Sequence, residues 1–317
     1  MSKNFLKETL ELFETAVNDN KAEVNIMFVD QNNYREKKYK GMMLKTTPDC
    51  INPVVMEIVG NAKEEIMKRS LDDYDLLVSP DDSTQTVDKA NVIYGSEIIE
   101  QISADYTNDN VVSENTDLSK IKFMVIHIYT NGKSIYFFKK YVQPTTAYKT
   151  TKKYTISGSV LKPFKENIIT ISSTVDAFLL NDKYYIFNRN SFNSMFAYKD
   201  VYKRILTENS ESIKSCGFIN NTDKFISDCE SDGRYLVRLT KVILAKGFEE
   251  IKTRKNEMPK VIKDFNLSLN LSETGEIIYG GKEEVPEILN LMLRHYVIDA
   301  LTSNKMIAAA IQEYKAV

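Results

Sequence analysis

The sequence predicts an α+β protein, with an N-terminal mixed sheet with hairpins and flanking helices and a mainly helical C-terminal part. Three observations carry this reading. Two β-rich runs between Ile121 and Val142 flank Asn131-Gly132, the pair that best tolerates the positive φ angles of a type I′ turn. A second pair of runs, between Thr174 and Asn188, flanks Asn181-Asp182 and holds Tyr184, Tyr185, Ile186 and Phe187, residues of high β-propensity. Beyond about residue 207 the apolar residues recur at three- and four-residue spacing, the period of helices.

Leu6, Leu10 and Phe13 alternate with Glu8, Glu11 and Glu14, so Lys3 to Val17 reads as an amphipathic helix rather than a secretion signal. Val24 to Val29 and Tyr39 to Lys45 are strand-like. Asn52-Pro53 gives a helix start, because proline at the first helical position forfeits no intrahelical bond, and that helix runs to about Arg69. From Leu71 to Asp117 periodicity is weak, and loops surround one short strand or helix near Val92 to Ile102. In the first hairpin a two-residue turn sets Thr130 against Lys133, His127 against Tyr136 and Val125 against Phe138. Both faces are apolar at their centres, which places this hairpin inside the sheet with only its lysine-bearing ends in water. After the second hairpin one helix carries Phe192, Met195, Phe196, Tyr202 and Ile205 on a single stripe. Later helices are expected from Asp232 to Lys246, Phe248 to Arg254, Met258 to Phe265, Val285 to Leu301 and Asn304 to Tyr314. Short strands are expected from Asn266 to Leu271 and Glu276 to Tyr279. The domains are accordingly 1–206 and 207–317.

Composition excludes several classes. With 43% hydrophobic and 27% charged residues, 7 Pro and 11 Gly, the 317-residue chain folds rather than staying disordered. A membrane span needs ~18 consecutive apolar residues, and the best run, Phe123 to Tyr129, is interrupted by His127. Any membrane association is expected to come through a partner. Cys50, Cys216 and Cys229 form no CxxC, and His127 and His295 offer no paired ligand spacing, so neither a structural zinc site nor another cofactor is indicated. Free thiols suit a reducing cytoplasm.

Catalytic signals are weak. A proton-moving histidine is needed for Ser-His or Cys-His chemistry, but His127 lies in a hydrophobic strand and reads as a hydrogen-bonded core residue, and His295 reads likewise on a helix. No glycine-rich phosphate loop occurs. Glu250-Ile251-Lys252, with Asp232 upstream, matches the acid-x-Lys pattern of a metal-dependent nuclease. It falls where helix is expected and reads as a solvated helix face. That nuclease, and a protein-interaction scaffold without nucleic-acid binding, are the alternatives to the reading below.

Charge is distributed unevenly. Net charge is −2, yet twelve acids and one base, Lys89, lie between Leu71 and Asp117, whereas Lys120 to Lys165 holds ten lysines and no acid. Local charge sets the field a phosphate feels. Lysines spaced among aromatic faces suit nucleic acid, and here Lys133, Lys139, Lys140, Lys149, Lys152 and Lys153 are interleaved with Tyr136, Tyr141, Tyr148 and Tyr154. The site is read as Lys133, Lys139, Lys140, Lys149, Lys152 and Lys153 with Tyr141 and Tyr148. Lysines that only protect a sheet edge are the competing reading. Without an arginine in the run, binding is to backbone and shape rather than to base edges.

Three stretches resemble the family that contains KwaB of the Kiwa anti-phage defence system. They are the aromatic strand and basic pair from Ile135 to Pro144 with Lys149, Lys152 and Lys153 after it; Val175 to Phe178 with Tyr184 to Asn188 and Phe192 to Phe196; and Leu289 to Thr302, where a helix closes on Leu301-Thr302. Ile298-Asp299-Ala300 departs from the family's small polar residue at that point. The resemblance implies a cytoplasmic, non-enzymatic DNA-binding effector that acts on phage DNA at the inner face of the membrane with a small transmembrane partner, KwaA. It implies no catalytic residues. A homodimer or higher homo-oligomer is expected, and the acidic segment is either a solvated loop, a partner surface or a cover for the lysines.

Overall fold

The computed structural model describes residues 2–31, 38–76, 83–103, 111–113, 116–142, 154–157, 160–163, 169–253, 255–299 and 301–308. Two compact units emerge, Met1–Asp75 with Ser79–Ala197, and Tyr198–Val317 with Leu76–Val78. The division falls at Ala197/Tyr198, and a helix runs unbroken through residues 206 and 207, where the sequence reading divides the chain.

The first unit is built on an eight-stranded mixed sheet. Its elements in chain order are α1 (Lys3–Asn18), β1 (Glu23–Gln31), β2 (Tyr39–Leu44), α2 (Pro48–Lys68), β3 (Ser70–Asp73), β4 (Ser83–Asp88), α3 (Gly95–Ser103), β5 (Ile121–Thr130), β6 (Lys133–Lys140), β7 (Tyr154–Ser157), β8 (Val160–Pro163), β9 (Ala177–Leu180), β10 (Lys183–Ile186) and α4 (Arg189–Met195). Strand order is β2-β1-β5-β6-β9-β10-β4-β3, with β7 and β8 paired separately. The β5–β6 hairpin therefore sits at the centre, with Thr130 opposite Lys133, His127 opposite Tyr136 and Val125 opposite Phe138, as its turn chemistry requires.

Alternation sorts the strand residues onto two faces. Ile26, Phe28, Met124, Ile126, Ile135, Phe137, Phe178 and Tyr185 belong to one core with Leu6, Leu10 and Phe13 of α1 and Val55, Ile58 and Ala62 of α2. Lys63 of α2 reaches Glu14 of α1 at 2.7 Å. On the other face α4 covers an aromatic cluster: Phe123, Phe138 and Tyr184 from the strands lie 5.0–6.5 Å, ring to ring, from Phe196. The helix α2 begins earlier than its sequence predicts, with Pro48 in the first turn and Pro53 inside it. The acidic segment yields two strands and a helix rather than loops around one element. Its Glu97 carboxylate accepts the Lys38 and Tyr39 N–H groups at 2.6 and 2.9 Å, pinning α3 to β2.

The second unit contains α5 (Tyr198–Ser215), β11 (Ile219–Asn220), α6 (Thr222–Ser231), α7 (Gly233–Leu244), α8 (Gly247–Thr253), α9 (Met258–Phe265), β12 (Ile277–Ile278), α10 (Val285–Met292), β13 (Tyr296–Ile298) and β14 (Lys305–Ile307). Phe225, Cys229, Leu236, Leu239, Ile288 and Leu289 fill its core. Two expected helices are corrected, and a third, expected from Asn304 to Tyr314, opens instead as the strand β14 over Lys305–Ile307. The stripe from Phe192 to Ile205 is broken because Ala197 takes a φ of 50°, which rephases α5 so that Leu206 is buried and Ile205 only half-buried. The helix expected to reach Leu301 stops at Met292. Arg294 follows with a φ of 58°, and the apolar residues after it form the β13–β14 hairpin.

Candidate nucleic-acid interface

The central hairpin carries its lysines at two ends. Lys133 is exposed beside the turn, and Lys139 and Lys140 are at the far end of β6. At ~3.3 Å rise per residue the two groups are about 20 Å apart. Adjacent residues of a strand face opposite ways, so Lys139 shares the face of Phe137, beneath α1 and α2, and Lys140 shares that of Phe138. The described lysines thus form no continuous track along the hairpin.

Asp176 explains what happens at the far end. This residue, 3% exposed, accepts the Lys140 backbone N–H at 2.8 Å and holds the Lys139 ammonium at 3.5 Å. Its own backbone N–H donates to the Phe138 carbonyl, and its carbonyl accepts the Phe187 and Asn188 N–H groups, each at 2.9 Å. Lys139 also donates to Thr174 Oγ1 at 3.1 Å. Its charge is therefore partly engaged inside the protein, at a position that the sequence reading gives to nucleic-acid contact. Tyr141 is corrected: its ring lies 5.2 Å from that of Phe28 in the core, and burial raises its phenol pKa, so it offers no face to a base. Lys122, Lys133 and Lys140 are exposed and make no ion pair among the described residues. Lys120 pairs with Asp117 at 3.6 Å. Tyr148, Lys149, Lys152 and Lys153 lie outside the described residues.

Several acids of the 71–117 segment serve local structure. Asp88 meets Lys183 at 3.4 Å, Asp117 caps a short turn through Ser119 at 3.1 Å, and Glu97 holds β2. His127 is half-buried, stacks on Tyr136 at 4.4 Å and lies 3.0 Å from Ser134 Oγ, and burial lowers its pKa. Burial, then Arg238 and Lys241, lower that of His295, which follows α10 and is not helical. Asp232 caps α7 and is bound by Arg234, which holds its carboxyl down at about 2. Glu250 and Lys252 lie on α8. Among the described residues no group of three or more His, Cys, Asp or Glu is arranged to hold a metal ion.

Comparison with known families matches residues 118–302, more than half of the chain, to the family described as Kiwa protein KwaB-like. The chain belongs to this KwaB-like family. Its role is accordingly in Kiwa anti-phage defence. No curated protein and no solved structure is similar enough to match. The matched region opens just before β5 and closes at Thr302. There Leu301-Thr302 forms the turn between β13 and β14 rather than a helix end, and Asp299 Oδ1 accepts both of their N–H groups at 2.9 and 2.7 Å. Asp299 thus makes an Asx-type turn with its own side chain. Sequence reasoning singled out Lys139 but missed Asp176 as its partner. The signal was the acid in Val175-Asp176-Ala177-Phe178, an acid standing at the start of an otherwise apolar strand.

Proposed function

We propose that this chain is the DNA-binding effector of its Kiwa system, holding the DNA backbone largely independently of sequence, and that it acts with the transmembrane protein KwaA. One observation supports the reading above the others: Lys120 to Lys165 contains ten lysines without one acid, and Lys122, Lys133 and Lys140 remain exposed and unneutralised among the described residues. Lys140 stands where β6 leads into the stretch with Lys149, Lys152 and Lys153. The contact set is therefore Lys133, Lys140, Lys149, Lys152 and Lys153. Fluorescence anisotropy with a labelled duplex tests it. With about five phosphates neutralised, log K falls against log salt with a slope near −0.9 per phosphate, losing two to three decades between ~50 and ~200 mM. Reversing Lys140, Lys149, Lys152 and Lys153 to Glu weakens binding about ten-fold or more and flattens that slope. A salt-independent affinity, or a fourfold variant that binds like the parent, contradicts the proposal. The partnership is tested by co-flotation with vesicles containing KwaA, and a homodimer or higher homo-oligomer by light scattering.

A further inference from the structure

A polar cavity of about 400 Å³ opens beside the end of β6. Small ligands occupy cavities of ~300–1,000 Å³, and this volume suits one nucleotide rather than a duplex, whose major groove alone is ~12 Å wide. Arg69, from the end of α2, and Lys139 stand among its lining residues, with Phe187 and Asn188 from the chain after β10.

Both cations are held in place by groups that leave donors over. The Arg69 Nε lies 2.7 Å from Glu65 Oε2, and Nη1 donates to the Phe187 carbonyl at 3.1 Å. Its Nη2 has no partner among the described residues. Lys139 donates to Thr174 Oγ1 at 3.1 Å and pairs with Asp176 at 3.5 Å, which leaves at least one of its three N–H groups over. Cations fixed in this way lose little freedom when a phosphate oxygen arrives, so the hydrogen bonds they make are strong for their number. Phe187 is half-buried and braced by Phe178, with ring centroids 5.7 Å apart, which gives a rigid aromatic wall. Every base has a face that stacks on such a wall. Asn188 Oδ1 caps α4 by accepting the Ser191 N–H at 3.0 Å, so its NH₂ group is left to donate to a base edge.

We propose that this cavity binds one nucleotide, with its base against Phe187 and its phosphate between Arg69 and Lys139. The carboxylates on the same wall decide how it binds. Glu65 and Asp176 are committed as holders of Arg69 and Lys139, and Glu64 pairs with Lys68 at 3.1 Å. The cavity is charge-balanced, so recognition rests on directed hydrogen bonds and stacking, and its salt dependence is shallower than that of the lysine run. The inference rests on the nucleic-acid reading only in its ligand class: the nucleotide is either free or the end of a DNA strand.

Isothermal titration calorimetry of the full chain with dAMP, deoxyadenosine and inorganic phosphate tests the site. Expected is dAMP binding about ten-fold or more tighter than either fragment. Phe187→Leu weakens dAMP about ten-fold with an unchanged circular dichroism spectrum, and Arg69→Gln removes the advantage of dAMP over deoxyadenosine, again with an unchanged spectrum. A 5′-phosphorylated single-stranded oligonucleotide that displaces dAMP assigns the cavity to strand ends, and one that does not assigns it to a free nucleotide. The two proposals fail separately. Duplex binding by a chain that gives no heat with millimolar dAMP overturns the cavity alone. Binding of dAMP by a chain that ignores duplex overturns the DNA reading alone.

Discussion

Asp176 joins two sequence-distant parts of the sheet, its carboxylate accepting the Lys140 N–H at the end of β6 and its backbone carbonyl accepting the Phe187 and Asn188 N–H groups after β10. Removing one partner of a buried charged pair also strands the other partner's donors. Asp176→Ala is expected to cost about 2–4 kcal/mol, and Asp176→Asn, which keeps an acceptor for the Lys140 N–H, about half of that, read from urea midpoints. A loss for Asp176→Ala within the scatter of surface mutations would contradict this account. His127 supplies a pH test. Burial puts its folded pKa below the unfolded value of about 6.5. Between those two values the unfolded chain binds more protons, so stability is fully present above ~6.5 and falls as pH drops towards the folded pKa. His295 shifts the same way. His127→Phe, which preserves the stack on Tyr136, is expected to reduce the slope of unfolding free energy against pH below ~6.5, and an unchanged slope would count against it.

At the scale of elements, two glycines separate two kinds of constraint. Gly132 has a φ of 73° and open space where a Cβ would stand, so Gly132→Ala costs only the backbone preference, ~1–2 kcal/mol. At Gly41 a Cβ would lie 2.7 Å from the Gln101 carbonyl oxygen, so Gly41→Ala has to push α3 away from β2 and is expected to cost about 1–3 kcal/mol. Hydrogen exchange distinguishes them: Gly41→Ala speeds exchange in α3, and Gly132→Ala leaves α3 as it was. What the sequence revealed follows the same local-versus-distant line. The register of β5–β6 was legible because turn type and alternation act over a few residues. The strand β4 was not legible, since Ser83, Thr84 and Gln85 are buried yet polar and hydropathy gives no sign of them. The end of α10 was missed because a short apolar run reads equally as helix or strand, and only the positive φ of Arg294 decides. At the site, the lysines were legible as a composition, whereas their separation to two ends of a hairpin, and the Asp176 and Arg69 that surround Lys139, arise from contacts far apart in the chain.

For the whole molecule, the three thiols report on different depths. Cys50 is exposed on α2, Cys216 intermediate, and Cys229 fully buried in the core of the second unit, where burial first and then Asp228 push its pKa up to about 12. Alkylation is expected to modify Cys50 within the time that leaves Cys229 untouched, and Cys229 only at the rate at which the second unit unfolds. Equal rates at Cys50 and Cys229 in native buffer would show a second unit that opens freely. The sheet of the first unit has a separate consequence, for synthesis. In the pairing of β1 with β5, Ile26 meets Ile126, a hundred residues later. At ~5–20 residues per second, a ribosome takes about 5–20 seconds to bring out β5 after β1. Until then the nascent β1–β2 pair has an unfilled side, and the middle of the sheet can close only when the defence-family region begins to emerge.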